Sequence, residues 1–169
     1  MQMKVNLGQA LMAMGVAILT HPAVAADAGW GVQFHYDAFE DQIYPMGAMG
    51  ELKEQTSIDR ANLFLACKDG TVGVIFQPTR FSFDSGGVTA RFRAAEGVQE
   101  FRFDAVEFPA FGKHRAIHGP DAQKFLEIFA TSNAPVAFQT DDIQGNFPVA
   151  GFAEVRAIMQ EHCNRLQSN

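Results

Sequence analysis

Strict alternation marks the first part of this chain. Trp30, Val32, Phe34 and Tyr36 fall on one side of an extended segment, and Gln33, His35 and Asp37 on the other, the pattern of a half-buried strand. The stretch that follows, DAFEDQIYPMGAMGELKEQTSID, has early acids, Pro45 and two glycines and reads as a loop, with a helical turn around Glu51 to Gln55. Asn62–Cys67 and Val72–Gln77 are apolar on both faces and are joined by Lys68-Asp69-Gly70-Thr71, so they predict a central hairpin that ends at Pro78. Arg80–Asp84 alternates again with Phe81 and Phe83 inward, and Asp84-Ser85-Gly86-Gly87 turns. Val88, Ala90 and Phe92 then oppose Thr89, Arg91 and Arg93. After a turn at Ala94–Gly97, Phe101 and Phe103 oppose Glu100, Arg102 and Asp104, which predicts a second hairpin with one wet face. Val106–Phe111, His114–Ile117, Val136–Thr140 and Phe147–Val149 read as shorter strands, with Asp141–Asn146 as a loop.

Helical period appears twice. Gly119-Pro120-Asp121 opens one helix, with Asp121 placed to accept from free backbone amides. Its stripe is Ala122, Phe125, Leu126 and Phe129, and it stops near Ser132, before Pro135. The other runs from about Phe152 to Leu166 with the stripe Val155, Ile158, Met159, His162, Cys163 and Leu166. Glu154 and Arg165 suit the two ends of its dipole. The expected fold class is α+β and β-rich: an antiparallel sheet or sandwich of about seven short strands carrying two helices, the last one C-terminal.

The first 25 residues differ from the rest. Lys4 precedes an apolar run from Leu7 to Leu19, and Ala23-Val24-Ala25 closes the segment with small residues at alternate positions. This is the pattern of a cleaved signal peptide, and the run falls short of the roughly 20 apolar residues of a membrane span. The expectation is a leader over residues 1–25 and one globular domain over 26–169, delivered to the periplasm or secreted. No later apolar run is long enough to insert in a membrane. The whole chain carries a net charge of −6, and Lys4 is the leader's only charge, so the remainder carries −7. An acidic balance disfavours nucleic acid as a partner.

Candidate chemistry is sparse. An exported chain with two cysteines is expected to join them. Cys67 shares a strand face with Leu63 and Leu65, and Cys163 follows Met159 by one helical turn, so both sulfurs point to the core. A catalytic thiol would need exposure and an adjacent base, and His162 points about 100° away from Cys163 on the helix. His114 and His118 lack the further ligands that a metal needs, His35 lies on an outer strand face, and Asp37, Glu40 and Asp41 read as solvated loop charge. No nucleophile-elbow, phosphate-loop or dinucleotide motif occurs. No catalytic residue, metal or cofactor is expected. What remains is charge segregation: Arg91, Arg93 and Arg102 on the outward face of one hairpin, with Arg80, Lys113 and Arg115 near it, form a candidate face for a protein or anionic envelope partner.

The chain also resembles small exported bacterial proteins: the type VI secretion accessory proteins of the VasI/TagO type and, more remotely, the invasion-associated locus B type. The resemblance rests on the leader, Trp30, DAFED, the apolar strand ending in Cys67, ARFR at Ala90–Arg93 and the closing FPVAGFAEVRAIMQEHC. It implies a β-rich periplasmic domain with no known catalytic residues. The function expected is therefore non-catalytic binding of a protein or envelope partner. The alternatives are a secreted inhibitor or immunity protein using the Asp37–Ser57 loop, and a hydrolase without a recognisable motif.

Overall fold

The computed structural model describes residues 29–38, 41–50, 61–78, 86–109 and 111–167. The leader at 1–25, Glu40, the helical turn expected at Glu51–Gln55, Arg80 and the strand expected at Arg80–Asp84 lie outside the described residues.

Nine strands are present among the described residues: β1 Gly31–Asp37, β2 Gln42–Gly50, β3 Ala61–Lys68, β4 Thr71–Pro78, β5 Val88–Ala94, β6 Gly97–Phe108, β7 Gly112–Ile117, β8 Val136–Gln139 and β9 Gln144–Phe147. They form one open antiparallel sheet in the order β1-β2-β3-β4-β7-β6-β5-β8-β9. Two helices, α1 Gly119–Thr131 and α2 Phe152–Gln167, pack on it. The fold is α+β and β-rich, as expected, with more strands than expected and, of the two expected arrangements, the single antiparallel sheet. The strands expected at Gln99–Asp104 and Val106–Phe111 are one continuous β6.

β3 and β4 form the central hairpin. Asp69 and Gly70 have φ of 48° and 72°, the paired positive values of a tight hairpin turn whose twist matches its strands. Both faces of the hairpin are covered. Leu63, Leu65, Val74 and Phe76 face the helices, within a core that holds Phe125, Leu126, Phe129, Phe152, Val155 and Met159. Ala66 and Ile75 face a smaller cluster with Phe108 and Ala116. This second cluster exists because the sheet curls: β3 touches β6 although β4 and β7 lie between them.

Phe92 is the centre of the main core. It is fully buried, with the rings of Phe125 at 4.8 Å, Phe76 at 6.0 Å, Phe101 at 6.1 Å, Phe103 at 6.2 Å and Phe138 at 6.3 Å between centroids. Several of these pairs are edge-to-face, the arrangement that the ring quadrupoles favour. Trp30 ties the start of β1 to the approach of α2. Its backbone N–H donates to Ala150 O at 2.8 Å, its Nε1 donates to Pro148 O at 3.1 Å, and its ring meets Phe152 at 5.1 Å.

α2 docks where the sheet makes room for it. A Cβ on Gly47 would stand 2.7 Å from Val155 Cγ1 and 3.1 Å from Leu65 Cβ. Gly47→Ala is therefore an overpacking change, expected to cost about 1–3 kcal/mol in urea denaturation. An unchanged midpoint would show that α2 does not press on β2 here. Met159 and Cys163 of the α2 stripe are buried, whereas Ile158 and Leu166 are 39% and 45% exposed. The expected stripe was too wide, because α2 meets the sheet along a narrower line. α1 begins at His118 as N-cap, with no side-chain cap hydrogen bond. Asp121 sits inside the first turn as a dipole partner and not as a cap.

Within the segment read as a loop after Asp37, Gln42–Gly50 is strand β2. β2 carries Pro45, which has no N–H to give to a ladder. The register explains why it is tolerated: β2 pairs with β3 only from Gly47↔Leu65 to Gly50↔Asn62, so at Pro45 it has already left β3 and pairs with β1 alone. β9 was also missed in part. The Thr140 hydroxyl accepts from the N–H of Asp142 at 3.3 Å and of Ile143 at 3.1 Å, which folds the polar stretch back as a hairpin.

Candidate partner-binding surfaces

Cys67 and Cys163 form a disulfide with Cα atoms 5.3 Å apart, and no free cysteine remains. It fastens the end of β3 to the last turn of α2, close to where Gln167 Nε2 donates to Asp69 O at 3.2 Å. With both sulfurs joined there is no thiol for nucleophilic chemistry. The histidines are scattered. His114 Nε2 donates to Phe111 O at 2.7 Å, His118 stands at the N-cap position of α1 without a side-chain capping bond, and His35 lies against the Phe111 ring at 5.3 Å. His162 is half-buried on α2. Burial first, and Arg165 second, lower its pKa below the ordinary histidine value. Among the described residues, no group of three or more His, Cys, Asp or Glu gathers as metal ligands would, and no helix is long and apolar enough to cross a membrane.

Two surfaces stand out, at opposite ends of the sheet. The first is built by β6, β5, β8 and β9. Register sets Glu100, Arg91, Gln139 and Gln144 side by side in one row across the four strands, and Val98, Arg93, Ala137 and Asn146 in the next. Opposed residues of an antiparallel pair share a face, so both arginines point away from the helices. With Val98, Ala137, Gln139 and Gln144 they line a shallow groove of about 310 Å³. Arg91 donates to Gln139 Oε1 at 3.2 Å, which lays its guanidinium across the groove. Among the described residues no carboxylate forms an ion pair with Arg91 or Arg93, even though Glu100 stands opposite Arg91.

Arg102 lies on the same face, opposite Thr89, but its Nε donates to Asp104 at 2.9 Å. It is neutralised where Arg91 and Arg93 are not. Lys113 and Arg115 do not join this face. They pair with Glu107 and Ala105, one residue out of phase with Arg102 and Asp104, and so belong to the opposite side of the sheet. Gln139 and Gln144 were missed in the sequence because the pairing of β8 with β5 is long-range and leaves no local signal.

The second surface is the β1–β2 ribbon. Beyond Gly47 it runs past β3, among the described residues as two strands only. Trp30 is buried and Val32 half-buried, but Phe34 and Tyr36 are 72% and 56% exposed, and Ile43 is 63% exposed. The expectation that Phe34 and Tyr36 face the core is corrected: the ribbon projects past the apolar stripe of α2, and alternation continues after its cover has ended. The other side of the ribbon is held by Phe111, whose ring meets His35 and Tyr44 at 5.3 and 6.4 Å. At the tip, the Tyr36 hydroxyl donates to Asp41 Oδ1 at 2.6 Å, and this bond to a carboxylate raises the phenol's pKa.

The fold and its surfaces define a β-rich α+β domain with an arginine groove at one end of the sheet and an apolar ribbon at the other. Comparison with protein-family models, curated proteins and solved structures finds no match.

Proposed function

We propose that this protein is an exported, non-catalytic binding protein that docks an acidic partner in the groove of Arg91 and Arg93. One observation carries the reading. Two neighbouring guanidiniums lie exposed without a carboxylate partner among the described residues, in a chain whose net charge is −6. On one strand face they stand about 7 Å apart along the backbone, the spacing at which an extended acidic chain repeats its own side chains on one face. Gln139 and Gln144 add amide donors beside them. Arginine suits the task because its planar fork binds a carboxylate by two hydrogen bonds. The disulfide supports an oxidising compartment, and the leader expected at residues 1–25 supplies the route to the periplasm. The resemblance to secretion accessory proteins points to a partner within the cell envelope or a secretion machine.

The test is a titration with poly-L-glutamate at low and at physiological salt. Wild-type protein binds and loses affinity as salt rises. The Arg91→Glu/Arg93→Glu variant loses on the order of tenfold or more, while Arg102→Gln, already neutralised by Asp104, changes little. Equal affinity in wild type and double variant would remove the groove from the account.

A further inference from the structure

The geometry points to a second interface, independent of the arginine groove: edge strand β1 pairs antiparallel with β1 of a second copy of this chain. The two edges of the sheet differ. β9 is four residues long, and a short edge offers little to pair with. β1 is seven residues long, and GVQFHYD contains no lysine, arginine or proline to discourage a new strand. Among the described residues no strand pairs with its outer edge, because β1 ends the strand order.

The strand complements itself. Val32, Phe34 and Tyr36 share one face. An antiparallel pair with its two-fold axis at Phe34 sets Phe34 against its own mate, and Val32 against Tyr36 on both sides. Ile43, opposite Tyr36 in the β1–β2 ladder, extends the apolar row. The one acid of β1, Asp37, then faces Gly31 of the second copy. The two Asp37 side chains stand about 20 Å apart, well beyond the screening length of about 8 Å at physiological salt. The two Asp37 carboxylates therefore do not oppose the pairing at this range.

Area supports a second copy as the occupant. Phe34, Tyr36 and Ile43 leave on the order of 350 Å² of side chain exposed per copy, nearly half of the roughly 800 Å² per partner of a standard interface. The remainder is available from the β1 backbone and from the groove of about 410 Å³ on its other face. That groove is lined by Gly31, Gln33, Ala48, Asn62 and Phe64, and incoming side chains of the second strand would lie over it. Joined this way, two nine-stranded sheets make one continuous sheet with an arginine groove near each end, and a repetitive acidic partner could engage both.

Sedimentation velocity across micromolar concentrations, on the full disulfide-bonded chain, tests the inference. Wild type is expected to approach twice the monomer mass as concentration rises, and Phe34→Lys/Tyr36→Lys to remain at monomer mass. Both positions are exposed, and far-UV circular dichroism checks that the variant folds. Hydrogen exchange on the wild-type chain gives a second reading that needs no variant: amides of Gly31–Asp37 gain protection as concentration rises. A wild-type chain that stays monomeric throughout overturns the inference. So does a dimer that the lysine variant retains, or one with no added protection in β1. Binding of a different protein at β1 by a chain that is monomeric alone overturns it too.

Discussion

Breaking the Cys67–Cys163 bond is expected to lower the unfolding free energy by about 4–5 kcal/mol. The bond closes a separation of 96 residues, and the chain-entropy effect of a crosslink grows with the loop that it closes. Most of the sheet and all of α1 lie between the two cysteines. The loss is large against a typical total of about 5–15 kcal/mol. The clean comparison is oxidised wild type against a Cys67→Ser/Cys163→Ala variant in urea. Alanine is chosen at 163 because the site is fully buried and a serine hydroxyl would lack a partner there. The oxidised protein should also show no titratable thiol in denaturant. Two titratable thiols, or equal denaturation midpoints, would contradict the staple.

Phe92→Ala is expected to cost on the order of 3–5 kcal/mol. The side chain meets five other phenylalanine rings from three strands and α1, so its removal leaves a cavity that no single neighbour can fill. Phe34→Ala supplies the contrast. It removes the same atoms at a site that is 72% exposed, and in dilute monomer it should change stability by about 0.5 kcal/mol or less. Urea midpoints of the two variants, compared at one low concentration, check both. Similar losses would mean that Phe34 is covered in the monomer, or that the aromatic core is not centred on Phe92.

How much of this was legible follows from where each signal resides. The β3–β4 hairpin was readable because Asp69-Gly70 carries its own backbone preference and both flanks are apolar. The arginine face was readable because β5 alternates strictly. Its amide neighbours were not, since Gln139 and Gln144 arrive through the pairing of β8 with β5. β2 was hidden because Pro45 and Gly47 lower strand propensity for reasons that only the fold explains. Pro45 sits where β2 has left β3, and Gly47 clears space for Val155. The exposure of Phe34 and Tyr36 could not be read at all. Alternation reports that a strand has two unlike faces, but not how far a distant helix reaches along one of them.

On the proposed reading, the protein works by binding an acidic partner through the groove of β5, β8 and β9. Backbone amide chemical shifts of isotope-labelled wild-type protein, followed while poly-L-glutamate is added, test it most directly. Salt-sensitive changes are expected to concentrate at Arg91, Arg93, Ala137, Gln139 and Gln144, with α2 unmoved. No change at saturating peptide, or changes centred elsewhere on the molecule, would contradict it.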